Sequence, residues 1–269
     1  MTDSTAVIAA GTKPRRFGSW YVAEHRIRSM RSYLQTVVFT SIGNPLVYLF
    51  ALGVGLASLV PTGVGQVSYL VFVAPALLAT AAVTVAAEES TYPMMMGFKW
   101  NAIFYAMNAA PISGNQIVNG MVIGMMARII PTCLIYFVVM LLFGAVPSGY
   151  GILGVLSAAF TGLALALVIM SYTSRIEEDK GQMAMIMRFG ITPMFLFSGT
   201  FFPLTQLPIY LQWLGWISPL WHGAELGRVF AYGYQEPFWL SVVHVAYLVA
   251  LSLAGWKVTQ GVVTRRLDK

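Results

Sequence analysis

The chain has 269 residues, 58% of them hydrophobic and only 10% charged, with a net charge of +6. A soluble domain carries about 25% charged residues, so this composition excludes a water-soluble fold and points to an integral membrane protein. The single cysteine, Cys133, excludes a disulfide framework and a cysteine-based metal site. The basic residues lie between apolar runs, which argues against nucleic acid as a partner.

Residues 1–19 read as a flexible tail, and 20–269 as one membrane domain. Residues 1–12 have no basic region and only a short apolar patch at 6–10, so no secretory signal is expected. Over 20–34, Trp20, Ala23, Ile27, Met30 and Leu34 recur at spacings of three and four, placing them on one helical face. Arg26, Arg28 and Arg31 fall mainly off that stripe. This is the pattern of an amphipathic helix lying in the headgroup plane, a topological anchor that can also present a face to a cytoplasmic partner.

A membrane span takes about 20 apolar residues. Six segments qualify, at roughly 36–59, 68–88, 117–146, 150–172, 184–202 and 237–257, of which the fifth is short and contains Pro193. Thirteen of the sixteen Lys and Arg residues fall in the N-terminal segment, the second and fourth connections and the C-terminus. By the positive-inside rule both termini are therefore cytoplasmic.

Within the second connection, Pro93 and Pro111 bracket a helix-compatible run holding Phe98, Trp100, Ile103, Phe104, Tyr105 and Met107, with Lys99 its only charge. A cytoplasmic loop so aromatic must bury itself, either on the membrane surface or in a groove on a partner. Gly120 and Gly124, and Ala158 and Gly162, are spaced for close helix approach, more simply within one chain than between two.

The stretch Phe197-Ser198-Gly199-Thr200-Phe201-Phe202-Pro203, continuing to Leu207-Pro208, is too apolar for an aqueous loop and too rich in Gly and Pro for an unbroken helix. Irregular backbone at membrane depth survives only inside protein or along a cavity. The segment is expected to re-enter at the extracellular face after the fifth span, ahead of His222 and Glu225. Those two sit three residues apart and read as a hydrogen-bonded pair, whereas His25 and His244 read as isolated.

The sequence contains no G-x-x-x-x-G-K-[ST] phosphate loop and no H-E-x-x-H. No metal site, resident cofactor or catalytic residues are expected. Glu88 and Glu89 lie at the cytoplasmic end of the second span rather than at a midplane, which disfavours an ion-coupled transporter and a membrane-embedded enzyme alike. Arg128, about three turns into the third span, is positioned to pair with Glu88 or Glu89.

The motifs resemble, in order, the membrane (permease) subunit of ABC-type-2 exporters, particularly the daunorubicin-resistance and nodulation lipo-oligosaccharide permeases. Gly43-Asn44-Pro45-Leu46-Val47-Tyr48-Leu49-Phe50-Ala51-Leu52-Gly53-Val54-Gly55-Leu56 resembles the first span. Glu89-Ser90-Thr91-Tyr92 with Lys99-Trp100, Ala106-Met107 and Pro111 resembles the coupling-loop region. Phe197-Ser198-Gly199, Phe201-Phe202-Pro203, Leu207-Pro208, Gln212, Pro219-Leu220, His222 and Arg228 resemble the carboxyl-terminal signature. The chain departs from the pattern at Ala110, Met121 and Gly124, where Thr, Glu and an aromatic residue are usual, and these departures hint at pairing with a different permease chain.

The resemblance implies a bacterial inner-membrane machine of two permease chains and two ATPase subunits, with Mg-ATP bound in the ATPases. The interfacial helix and the second connection would dock on those ATPases, and the re-entrant segment with His222 and Glu225 would form part of the outer gate. A cavity lined by apolar and aromatic groups of spans 1, 2 and 5 would carry lipophilic or amphipathic compounds such as antibiotics outward. Export of a lipid-linked glycan or lipo-oligosaccharide is the alternative within the same fold.

Overall fold

Backbone in a membrane must satisfy its own hydrogen bonds, and the regular elements of the computed structural model are accordingly helices among the described residues. The structure describes residues 4–56 and 63–269, with side chains from Arg15 onward except Val54. The helices are α1 (Ser4–Met30), α2 (Leu34–Tyr48), α3 (Tyr69–Met95), α4 (Ile103–Ala109), α5 (Gly114–Leu142), α6 (Leu153–Thr173), α7 (Gln182–Met185), α8 (Thr192–Phe197), α9 (Ile209–Trp216), α10 (Pro219–Tyr232) and α11 (Phe238–Leu267).

Five described helical stretches are long and apolar enough to cross a membrane, against the six spans expected. The missing one is the fifth. Its helical stretch, Gln182–Phe197, is 16 residues long and includes a π-helical segment, Ile186–Ile191. At 1.5 Å per residue it covers about 24 Å, short of a hydrocarbon core of about 30 Å. Helix ends at Phe197, because Ser198 leaves helical geometry and Gly199 takes a positive φ of 71°.

The N-terminal region also differs from expectation. Helix begins at Ser4 rather than near residue 20, with a break at Phe17 (φ −117°, ψ 20°) three residues after Pro14. The expected interfacial helix and first span are not separate elements, since Arg15–Gly53 runs as one helical stretch through a 3-10 turn at Arg31–Tyr33. The buried face of α1 is Gly18, Val22, Ala23, Arg26 and Met30, while Trp20 is 56% exposed and Leu34 is exposed as well. The buried face is rotated from the expected stripe, because Arg26 turns inward to a buried partner, Glu89.

α3 is the axis of the bundle. Its alanines Ala74, Ala79, Ala82 and Ala86 are buried, and α6 packs along it. Gly162 makes this possible, since a Cβ there would lie 3.0 Å from the Ala82 carbonyl oxygen. Ser113 and Gln116 form a capping box that starts α5. Lys99 lies 3.5 Å from Glu178, Arg266 Nη1 donates to the carbonyls of Ser174 and Ile176, and Gln116 donates to the Arg15 carbonyl. These contacts gather the basic segments at one end of the bundle.

Candidate functional site

Two arginines and two glutamates from three helices meet near that basic end. Arg128 on α5 donates through Nη1 to Glu89 Oε1 and through Nη2 to Glu88 Oε2, each at 2.7 Å. Arg26 on α1 donates through Nε to Glu89 Oε2 at 3.1 Å and through Nη2 to the Tyr33 hydroxyl at 3.1 Å. The Glu89 side chain is only 2% exposed. A carboxylate is stable at such a site only when paired, and the two guanidiniums flanking it meet that requirement. The sequence pointed to Glu88, Glu89 and Arg128 and missed Arg26. A signal was present, because Arg26 is four residues after Val22 and four before Met30.

Gly120 and Gly124 form the seat for α1. A Cβ on Gly120 would meet the Ser19 carbonyl at 2.5 Å, and one on Gly124 would meet the Arg26 side chain at 2.7 Å. An aromatic residue at 124 would displace Arg26, so the departure at this position belongs with the charge cluster.

Glu88 and Arg128 close one end of a cavity of about 430 Å³ bounded by α2, α3, α5 and the Gln182–Phe197 stretch. Along α3 its wall descends through Leu77, Thr80, Ala81, Thr84, Val85 and Glu88, one helical face. The rings of Tyr48, Tyr136 and Phe195 supply the aromatic part. The lining is more polar than expected and includes α5. Thr40, Thr80, Thr84 and Thr192 donate their hydroxyl protons to carbonyls of their own helices at 2.8–3.1 Å. Their lone pairs remain available as acceptors. The Tyr136 hydroxyl is buried without a partner.

The second connection folds inward. Phe98 and Phe104 meet edge to face at 5.0 Å, the Arg266 guanidinium lies 4.1 Å over Phe98, and both rings join an apolar cluster with Val22, Met94, Ile117 and Val263. Phe104 is 2% exposed, and Ile103 and Met107 are half-buried. The surface left outside is Tyr92 stacked on Trp100, with Met96, Lys99 and Tyr105; Trp100 is 53% exposed. Ala102 turns the chain between these parts with φ 51°, an unfavourable value for a residue with a Cβ.

At the opposite end, Arg228 organises the irregular segment. Its side chain is 1% exposed. Nη2 donates to the Gly199 carbonyl at 2.6 Å, Nε to the Phe72 carbonyl at 3.3 Å and Nη1 to Glu225 Oε1 at 2.7 Å, with the guanidinium 3.9 Å over the Phe72 ring. Tyr69 donates to the Phe201 carbonyl, and Ser198 donates to Ser218. Phe201 packs edge to face on Phe195 at 4.7 Å, while Phe197, Phe202 and Pro203 are half-buried. Side chains from α3 and α10 thus satisfy broken backbone that cannot satisfy itself.

His222 and Glu225 are not partners: Glu225 pairs with Arg228, while His222 Nδ1 meets His244 Nδ1 at 2.7 Å. His244, read as isolated, lies on α11 and only folding brings it there. Among the described residues no three His, Cys, Asp or Glu side chains are grouped to hold a metal ion.

The family model for the ABC-2 type transporter matches residues 20–232. Nodulation protein J of Rhizobium leguminosarum bv. viciae is 29% identical over 249 residues, covering 86% of this chain and 87% of the relative. The same-named protein of R. leguminosarum bv. trifolii is 30% identical over 202 residues, covering 72% and 73%, and that of Rhizobium meliloti (strain 1021) is 26% identical over 239 residues, covering 86% of each. No solved structure gives a significant match. An all-helical bundle with several membrane-crossing helices, a family model spanning most of its length and bacterial relatives of matching extent place this chain in the ABC-2 type transporter family, as a multi-pass inner-membrane permease subunit.

Proposed function

We propose that this permease works in an ATP-driven exporter whose cargo is an amphipathic molecule with a hydroxyl- or amide-bearing head, such as an acylated oligosaccharide. The observation that carries this reading is the wall of the 430 Å³ cavity, where threonine hydroxyls keep acceptor lone pairs toward the space beside aromatic rings. Acceptors suit a cargo rich in O–H and N–H donors, and the rings suit its apolar part. A purely lipophilic drug would leave the acceptors unpaired. The resemblance to lipo-oligosaccharide permeases points the same way.

In this reading the basic end is cytoplasmic and the 198–222 region is a re-entrant outer gate. Two ATPase subunits dock on the Tyr92–Trp100 surface, and a second permease chain completes the passage. The Arg26–Glu89–Arg128 cluster ties α1 to the cavity helices, so displacement of α1 reaches the cavity floor. ATP does work here only by binding more tightly to the closed dimer than to the open one.

Reconstitution with the partner ATPase tests the reading. An acylated oligosaccharide should be moved in preference to an alkyl dye lacking hydroxyls, and T80V/T84V should reduce that preference. Movement driven by a pH gradient with no ATPase present would overturn it.

A further inference from the structure

Three side chains meet at the end of the bundle away from the basic segments. They are His222 on α10, His244 on α11 and Glu236 in the connection between those helices. Their acceptors determine where the protons sit. His222 Nε2 lies 3.0 Å from the Trp216 carbonyl oxygen, which can only accept, so Nε2 carries a hydrogen. In a neutral imidazole the other nitrogen is then bare. His244 must therefore be the donor in the 2.7 Å contact between the two Nδ1 atoms. That leaves His244 Nε2 bare, 3.3 Å from Glu236 Oε2. Both atoms are buried, and neither has a hydrogen-bond partner.

A bare imidazole nitrogen facing a bare carboxylate oxygen is repulsive. One added proton on either atom reverses the sign, giving a carboxylic acid that donates to imidazole or an imidazolium that donates to carboxylate. We propose that Glu236 and His244 form a proton-binding site whose occupancy fastens the connection between α10 and α11 over the outer cavity. Gly233, Tyr234 and Gln235 of that connection, with Tyr232, Phe72 and Pro203, wall a cavity of about 630 Å³. Glu236 is tied on its other oxygen to the Ser241 hydroxyl. The Tyr247 ring stacks on His222 at 4.0 Å, and its hydroxyl donates to the Ile217 carbonyl. The proton therefore sits where the end of α9, the start of α10, the connection and α11 converge.

The other titratable or charged groups here leave the site balanced. Glu225 and Arg228 of α10 neutralise each other at 2.7 Å. Tyr232, Tyr234 and Tyr247 are phenols, and α6, the helix packed behind, carries no charged residue. Burial raises the carboxyl pKa of Glu236. The fastened form holds one proton more than the released form, so it prevails at low pH and is lost as pH rises through the raised pKa. The released-to-fastened ratio then changes by up to about tenfold per pH unit.

The test uses the full chain in lipid nanodiscs, where both faces are reachable, in a C133A background. Labelling of a cysteine at Gln235 (Q235C) is compared with one at the exposed Ile209 (I209C), which corrects for the pH dependence of the thiol itself. The corrected rate at Q235C should rise with pH, by up to about tenfold per unit, as pH passes through the raised carboxyl pKa of Glu236. E236Q, whose amide donates to His244 without a titrating proton, should label slowly and independently of pH. A pH-independent rate in the parent, or an unchanged pH dependence in E236Q, would overturn the proposal. Nitrogen NMR of the unsubstituted protein, which has three histidines, provides a second readout. His244 should shift with pH while His222 keeps its Nε2–H tautomer, and an unresponsive His244 would overturn the proposal equally.

Discussion

Replacing Glu89 with glutamine should unbalance the charge cluster without changing its size. Glu89 accepts from Arg26 Nε and Nη2 on one oxygen and from Arg128 Nη1 on the other. Whichever way the substituted amide points, its NH₂ group faces a guanidinium and at least one of these bonds is lost. With Arg26, Arg128 and Glu88 still charged, the cluster passes from neutral to one uncompensated positive charge. Breaking a buried pair by removing one partner costs about 3–5 kcal/mol. That is roughly two to three and a half decades in the folded-to-unfolded ratio. R26M/E89Q leaves Arg128 with Glu88 and is neutral again, so it should recover at least about 1 kcal/mol relative to E89Q. Unfolding of purified protein by SDS in mixed micelles, followed by circular dichroism, measures both through midpoint and slope. E89Q within about 1 kcal/mol of the parent, or a double variant no better than E89Q, would refute the account of a buried charge held by its partners.

The remaining predictions separate folding from function. F104D should lose the folded state, because Phe104 is enclosed and removing such a ring costs about 3–5 kcal/mol; W100D should stay monodisperse by size exclusion but lose its co-purifying ATPase. If F104D purifies folded, the inward packing of the second connection is wrong. G162A should lower stability by about 1–3 kcal/mol, because its new methyl meets the Ala82 backbone rather than a side chain that can move; unchanged SDS unfolding would contradict the tight α3–α6 contact. In intact cells, an impermeant thiol reagent should label cysteines at 206 and 235 and spare one at 178, and the reverse pattern would invert the proposed topology. R228M should increase protease cleavage near Gly199, whose carbonyl loses its 2.6 Å donor; an unchanged cleavage pattern would remove Arg228 from its organising role.

Much of the architecture was legible because a membrane imposes one-dimensional constraints. Apolar runs of span length, basic connections and small residues at helical spacing act along the chain, and they indicated α2, α3, α5, α6 and α11 and the close approach at Gly162. The Glu88, Glu89 and Arg128 grouping was legible because unpaired charge is too costly at that depth to be left alone. The aromatic second connection was recognisable as something that must be buried. Its sequence did not say that Phe98 and Phe104 bury against the protein itself.

What the sequence alone determined is a helical membrane protein with an irregular segment after residue 197, since hydropathy and Gly and Pro content are local properties. Only the tertiary structure decided which partners make those local choices affordable in free energy. Arg26 turns inward because Glu89 awaits it from a helix 63 residues away. The Gly199 and Phe201 carbonyls are satisfied by Arg228 and Tyr69. His222 and His244 share a proton across 22 residues. A buried polar group is stable only when paired, and pairing is a fact of three-dimensional distance that spacing along a chain does not encode.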